Sequence, residues 1–205
     1  DDVNAFAGVR IDTLPAAGVL TLGGIPVIAK DFIDLASLDT LEFTPDLDGS
    51  GAAYTTFTYS VKDDAEGFSV APNTVTVNVA AVNDSPVIAV NTGLTLNEGA
   101  SALISVLRLN EGDPDDSGAE LIYTVDVAPS HGILELTTAA GTPITAFTQA
   151  QIDAGLVRYD HDSSDTISDS FDFSLADGGE DGATVASGTF QFTVTPVNDV
   201  GVNDP

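Results

Sequence analysis

Acidic residues cluster where the chain is built to turn. Asp113-Pro-Asp115-Asp116-Ser-Gly118 places alternating carboxylates in a turn, where the backbone can aim them at one point. Val82-Asn83-Asp84-Ser-Pro86 sets an amide and a carboxylate ahead of a stiffening proline, and Asp160-His-Asp162 and Asp46-Leu-Asp48 hold matching places later in the two halves, the former after a strand expected to end at Tyr159. The chemistry open to such groups is coordination of a hard divalent cation. Calcium takes about six to eight oxygen ligands and accepts them from separate loops. Overall charge points the same way: 32 Asp and Glu against 5 Lys and Arg give −27, and a compact state with that much like charge repels itself. Each Asp or Asn is equally an ordinary turn former, bonding its own backbone. Their joint placement at domain ends favours the metal, while the lone acids Asp12, Asp126 and Glu135 are expected at solvated surface.

The same composition excludes several function classes. Nucleic acid and anionic lipid both require a basic footprint, which this chain lacks. With no Cys, disulfides, thiolate zinc sites and cysteine nucleophiles are absent together. An extracellular protein without disulfides is stiffened by other means, and metal clips between domains would serve. A hydrophobic content of 43% indicates a folded chain rather than an acidic disordered tail, and no apolar stretch is long enough to span a bilayer. Catalysis is not expected. His131 and His161 have no paired nucleophile motif, and paired carboxylates for glycoside hydrolysis lack an aromatic sugar platform, Trp being absent.

The elements that must position these acids are written twice. Leu14-Pro-Ala-Ala-Gly18-Val-Leu-Thr-Leu22 is echoed by Ala128-Pro-Ser-His-Gly132-Ile-Leu-Glu-Leu136, and Thr56–Asp63 by Ser170–Asp177. Gly18 and Gly132 stand 114 residues apart, as do Asp63 and Asp177; the closing Asp84 and Asp199 stand 115 apart. So long a period means tandem domains with separate cores. The offset carries Asp115 and Asp116 back to Asp1 and Asp2, so the first copy is expected to lack the counterpart of roughly residues 87–114, opening strand included, and the chain to be a piece of a longer array. Domains are expected at 1–84 (lacking its first strand) and 85–200 (complete), with 201–205 starting the next linker.

Alternation of period two sets the fold class. Thr74–Val79 and Thr189–Val194 put apolar side chains on one face and small polar ones on the other, as do Thr56–Val61 and Ser170–Leu175. Short strands between Gly, Pro, Asn and Asp turns predict an all-β chain of two antiparallel β-sandwiches. Each copy carries one short helical turn. In the second, Thr148-Gln-Ala-Gln151 fits a capping box with Ile152 as apolar contact and Gly155 as stop; in the first the equivalent is Asp34–Leu38.

Taken together, these residues resemble a known family. Asn97-Glu98-Gly99, the Asp113–Asp115 turn ahead of Leu121-Ile-Tyr123, the Asp160 and Asp162 pair, Ala176-Asp177-Gly178 and an Asn-Asp linker follow the order of cadherin repeats. Phe147–Tyr159, His161-Asp162 and Asp169-Ser-Phe171 are similar to the chondroitin-sulfate-proteoglycan repeat, a cadherin-like (Ig-like) domain that recurs in large bacterial surface adhesins and biofilm proteins. The likeness covers 87–200 well and 1–84 moderately. It implies calcium (Ca2+) shared at domain joints, with Asp46 and Asp48 from the first domain, Asn83 and Asp84 from the linker, and Asp113, Asp115, Asp116 and Asp177 from the second. Glu98, Asp160, Asp162, Asn198 and Asp199 are further candidate metal ligands. Asp48 departs from the pattern, since cadherins carry Glu there.

The function this implies is a calcium-rigidified segment of an extracellular or cell-surface adhesin or matrix protein, acting as stalk or spacer. Its partners would be adjacent repeats and cell-surface or matrix glycans or proteins, with no nucleic acid and no membrane insertion. Two other classes stay open: a glycan- or protein-binding module, and a filament subunit self-associating by strand exchange at the edge left by the missing strand.

Overall fold

The computed structural model describes residues 5–65 and 67–198; Asp199 and 201–205 lie outside the described residues. The chain divides into two compact units, Asp1–Val82 and Asn83–Pro205. In the first unit the strands are β1 (Phe6–Thr13), β2 (Val19–Leu22), β3 (Ile25–Pro26), β4 (Phe32–Asp34), β5 (Leu41–Thr44), β6 (Gly51–Asp63) and β7 (Asn73–Val79). They form one sheet in the order β4-β1-β6-β7 and another in the order β3-β2-β5. Alternate residues of β1 and β6 point inward, so Val9, Ile11 and Phe57 meet Leu20, Val27 and Ile33 in the core.

The second unit repeats this plan with an extra opening stretch. Its strands are β8 (Ile88–Asn91), β9 (Leu94–Asn97), β10 (Ser101–Leu103), β11 (Leu109–Glu111), β12 (Ile122–Val127), β13 (Gly132–Leu136), β14 (Ala146–Thr148), β15 (Val157–His161), β16 (Ser168–Ala176) and β17 (Ala186–Thr195). The sheets run β14-β12-β16-β17-β9, β10-β15-β13 and β11-β8. Both units are all-β sandwiches. One pairing departs from the antiparallel expectation: β9 lies parallel to β17, Leu94 opposite Phe192. The chain then turns at Gly99, whose φ of 65° suits glycine, and β10 joins the other sheet against β15.

Aromatic side chains dominate the second core. Tyr123, Phe147, Tyr159, Phe171, Phe173, Phe190 and Phe192 are buried, and Tyr159 stacks on Phe192 with ring centroids 3.8 Å apart. Full burial of one such side chain contributes about 1.5–3 kcal/mol, and a well-placed ring pair about 0.5–1.5 kcal/mol more. The helix α1 (Gln149–Asp153) forms as the capping box requires: Thr148 Oγ1 accepts the Gln151 amide, and the Gln151 side chain accepts the Thr148 amide. Ile152 is buried beneath it, and Gly155 follows at φ 65°. The first-unit counterpart is a 3-10 turn, Leu35–Thr40, capped by Asp34.

Two expectations are corrected. Asp160 lies inside β15, opposite Ser101, because strand pairing continues through His161. Asp12 and Glu135 are buried rather than solvated. Glu135 sits opposite Arg158 across β13 and β15 and pairs with its guanidinium; Asp12 takes Arg10 at 2.7 Å and Lys30 at 3.2 Å. Scarce cations are drawn to acids that the pleat forces inward, since a buried charge must be paired. Asp126 is exposed, as expected.

Candidate metal centre

The acids gather at one end of the second unit, where β11 and β16 end and the Asn83–Pro86 segment enters. Asp113 organises the turn. Its Oδ1 accepts the amides of Asp115 at 3.1 Å and Asp116 at 2.9 Å, and its own amide donates to Glu111 Oε2 at 2.6 Å. The other oxygen, Asp113 Oδ2, is buried with no hydrogen-bond partner. Asp113, Asp115 and Asp116 bring one oxygen each within 4.8 Å of one another, and this is the one such triple among the described residues.

The entering segment is tied to the same place. Asp84 donates its amide to Asp115 Oδ2 at 3.2 Å. Asn83 donates its side-chain amide to Asp177 Oδ2 at 3.1 Å and its main-chain amide to Asp181 Oδ2 at 3.3 Å. Asp177 is 5% exposed, and its Oδ1 accepts the Gly179 amide at 2.8 Å. Beneath the turn, Gln149 accepts the Tyr123 hydroxyl at 2.9 Å and donates to Asn110 at 2.8 Å, fastening β11 to the core.

Electrostatically the cluster is uncompensated. Among the described residues no Lys or Arg forms an ion pair with any of these acids. Desolvation raises the Asp115 carboxyl above its ordinary range, and the neighbouring Asp113 side chain adds to the shift. Asp116 is raised by desolvation and then by the charges of Asp113, Glu120, Asp115 and Asp177. The donor set is oxygen only, and one of its oxygens, Asp113 Oδ2, is buried without a hydrogen-bond partner. That set fits a hard dication such as calcium and does not fit a soft metal.

The remaining candidates sit within their own units. Asp46 Oδ2 accepts the Gly18 amide at 3.1 Å and the Tyr54 hydroxyl at 3.0 Å, and Asp48 takes a left-handed φ of 58°; both are turn positions of the first unit. In the second unit, Asp177 leaves β16 at one end and Val197 leaves β17 at the other. There Glu98 accepts the Val197 amide at 3.2 Å, Asp160 accepts the Ser101 hydroxyl, and Asp162 accepts the Ser164 amide at 3.0 Å. Asn198 is exposed. Asp181 and Glu111 were missed by motif reading; Asp181 had a signal in the acidic run after Asp177, and Glu111 in its place two residues before Asp113.

The two histidines hold structure. His161 accepts the amides of Gly99 and Ser163 at Nδ1, each at 3.2 Å. Ser164 meets the His131 ring at 3.2 Å, but Asp169 takes the His131 main-chain amide, not its ring. A catalytic triad needs the acid on the imidazole.

Residues 86–195, more than half of the chain, match the family model described as cadherin-like. Human chondroitin sulfate proteoglycan 4 is 43% identical over 108 residues, covering 52% of this chain and 4% of that protein. The human extracellular matrix organizing protein FRAS1 is 34% identical over 137 residues, 66% of this chain and 3% of that protein. This chain therefore spans a few per cent of the length of these relatives. A solved structure of protocadherin Gamma B2 extracellular cadherin domains 3-6 aligns with 92% of this chain and 40% of its own at 16% identity, with a TM-score of 0.45. On the match over 86–195, the chain belongs to the cadherin-like family.

Proposed function

We propose that this chain is a calcium-stabilised repeat segment of an extracellular matrix or adhesion protein, serving as a stalk or spacer. The carrying observation is the buried, unpartnered Oδ2 of Asp113, a member of the Asp113, Asp115 and Asp116 carboxylate cluster. Asp113, Asp115, Asp116 and Asp177 would hold the ion, with Asn83 and Asp84 completing the set. Calcium supplies two positive charges that cancel their mutual repulsion and oxygen coordination that replaces water. This chain's residues supply the rest: Asp113 spends one oxygen on the turn amides and keeps the other for a ligand, and Asp177 holds Asn83 against the body of the repeat.

The setting is extracellular. The relatives are named as a proteoglycan and a matrix-organizing protein, and no helix among the described residues is long and apolar enough to cross a membrane. Neighbouring repeats and matrix glycans or proteins are the proposed partners, and the role is structural rather than enzymatic. Glu98, Asp160, Asp162 and Asn198 form a second candidate set at the far end of the same unit.

Thermal unfolding in millimolar calcium and in chelator tests the reading. An ion that binds only the folded state at a hundredfold excess over Kd adds about 2.7 kcal/mol, so the transition of the second unit should rise by several degrees. Identical transitions would overturn the proposal. Small-angle scattering tests the stalk role: calcium should lengthen and stiffen the particle, and a profile indifferent to calcium would remove that part.

A further inference from the structure

Three of the chain's five basic residues gather on the outer face of the sheet β4-β1-β6-β7, in a chain of net charge −27. Arg10 lies opposite Phe32 on one side and Ser60 on the other, and Lys62 lies opposite Gly8. Lys30 joins them from the loop ahead of β4, reaching Asp12 at 3.2 Å. The rings of Phe32 and Phe68 meet edge to face, with centroids 6.3 Å apart. The Arg10 guanidinium stands 4.3 Å from the Phe68 centroid, and the Lys62 ammonium 5.2 Å from that of Phe32 and 5.9 Å from that of Phe68. A cation within about 6 Å of a ring is attracted by its electron-rich face. Among the described residues Lys62 forms no ion pair, so rings hold this ammonium in a chain that carries 32 acids.

The second unit shows the same face without this set. Thr124 pairs with Ala146 and Ser174 just as Arg10 pairs with Phe32 and Ser60, and Ile122 pairs with Ala176 just as Gly8 pairs with Lys62. Thr124 and Ala146 are exposed with β8 to β11 in place, so the opening segment of a repeat leaves this face uncovered. A Ser–Asp bond is common to both units: Ser174 donates to Asp126 as Ser60 donates to Asp12. The cations and rings are therefore additions to a shared scaffold. Neither ring is needed to fill the core, since Phe32 is 44% exposed and Phe68 37%.

We propose that this face binds a matrix glycan through one acidic sugar. Asp12 and Asp34 are the acids on the same side of these strands, the first bonded to Ser60 and the second to the Ser37 amide. Against Arg10, Lys30 and Lys62 they leave one positive charge in excess, which matches a single carboxylate. Acids beyond about 8 Å are screened at physiological salt, yet the chain as a whole repels a dense polyanion. The sugar carboxylate meets the Lys62 ammonium and the Arg10 guanidinium, and the C–H face of the sugar lies on the exposed ring of Phe32, whose face is electron-rich. The inference rests on the matrix reading above for its class of ligand, and the metal has no part in it.

The probe is a hyaluronan hexasaccharide, which carries a carboxylate on every second sugar, titrated in chelator into the isotope-labelled whole chain and followed by amide chemical shifts. Amides of Gly8–Asp12, Phe32–Asp34 and Ser60–Lys62 should move, with β12 and β16 unmoved. Lys62→Ala and Phe32→Ala place the second unit's residues at these positions, which the same strand register accepts there. Each should weaken binding about tenfold or more, and so should exchange of the probe for a chitin hexasaccharide, which lacks the carboxylate. The proposal is overturned by amides that stay still at millimolar hyaluronan hexasaccharide, by shifts confined to other strands, by variants that bind as the parent does, or by equal binding of the chitin hexasaccharide. A glutamate tetrapeptide that moves the same amides as strongly would also overturn it and give the face to an acidic protein. Failure here beside an intact calcium-dependent melt would remove the glycan site and leave the stalk reading standing.

Discussion

The side-chain amide of Asn83 donates to Asp177 Oδ2 at 3.1 Å, joining residues 94 positions apart. The bond holds the entering segment against the cluster around Asp113, where like charges face one another with no Lys or Arg ion pair among the described residues. Folding and metal binding should therefore oppose each other there. Asp113→Asn keeps an oxygen for the turn amides and removes one charge. In chelator the variant should melt higher than the parent, because Asp115 and Asp116 lose their repelling neighbour. In calcium it should melt lower, having lost most of the roughly 2.7 kcal/mol increment expected at a hundredfold excess. Paired melting scans check this crossing; a variant that shifts equally in both conditions would show that Asp113 is a turn former alone.

A second prediction joins the core to the site. Gln149 is 2% exposed and bonds Tyr123, Asn110 and Asp153. Gln149→Leu should orphan the Tyr123 hydroxyl, costing about 1–3 kcal/mol, and free β11 from its anchor. Because β11 leads into the Asp113 turn, the calcium-dependent rise in melting temperature should shrink as well. Calorimetric titration of calcium into the variant should show weaker binding than the parent; unchanged affinity would uncouple core and turn.

What was legible in the sequence was what is local. Thr74–Val79 and Thr189–Val194 alternate because one face is buried, and Thr148 to Gln151 reads as a capping box because both reciprocal bonds lie within one turn. Asp113, Asp115 and Asp116 were legible for the same reason. The burial of Glu135 was not: its partner Arg158 is 23 residues away and is matched only by strand register. The parallel pairing of β9 was hidden because Leu94–Asn97 is too short for its pattern to show a direction. Asp181 reaches Asn83 through a turn with its own φ at 49°, and spacing alone encodes no such geometry.

The glycines that mark the repeat have a steric reason, which yields a third prediction. A Cβ on Gly132 would stand 2.4 Å from the Asp160 carbonyl and 2.7 Å from the Tyr159 ring; one on Gly18 would stand 2.5 Å from the Phe43 ring. In both units the backbone of one strand passes directly over an aromatic residue of the next. Gly132→Ala should push β15 aside and cost about 1–3 kcal/mol, as overpacking does. Hydrogen exchange should quicken at Ser101–Leu103, which pairs with β15. If β10 stays as protected as in the parent, the neighbouring strand has absorbed the methyl group without moving.

Acid should act on the two units differently at first. Asp12 is held at about 2 mainly by the Ser60 hydroxyl, which outweighs partial desolvation, with help from Lys30 and Arg10. A carboxyl depressed in the folded state stabilises above its unfolded value of about 3.9 and loses that contribution as pH falls through the folded one. The first unit should therefore hold to about pH 4 and weaken towards pH 2, and Asp12→Asn should remove this part of the dependence. In the second unit Asp115 and Asp116 are raised, so without metal its stability should increase as pH falls from neutrality through their folded values. Below about pH 4 the trend should reverse. There protonation reaches Asp169, kept low by the Tyr159 hydroxyl and three main-chain amides against the pull of burial, and Glu135, kept low by Arg158. Melting scans in chelator from pH 7 to pH 2 should thus show the second unit first gaining stability and then losing it. Calcium should erase the rising limb, since a bound ion favours the deprotonated acids. A second unit that weakens steadily from neutrality in chelator would mean that the Asp113 cluster carries no repulsion for a metal to relieve.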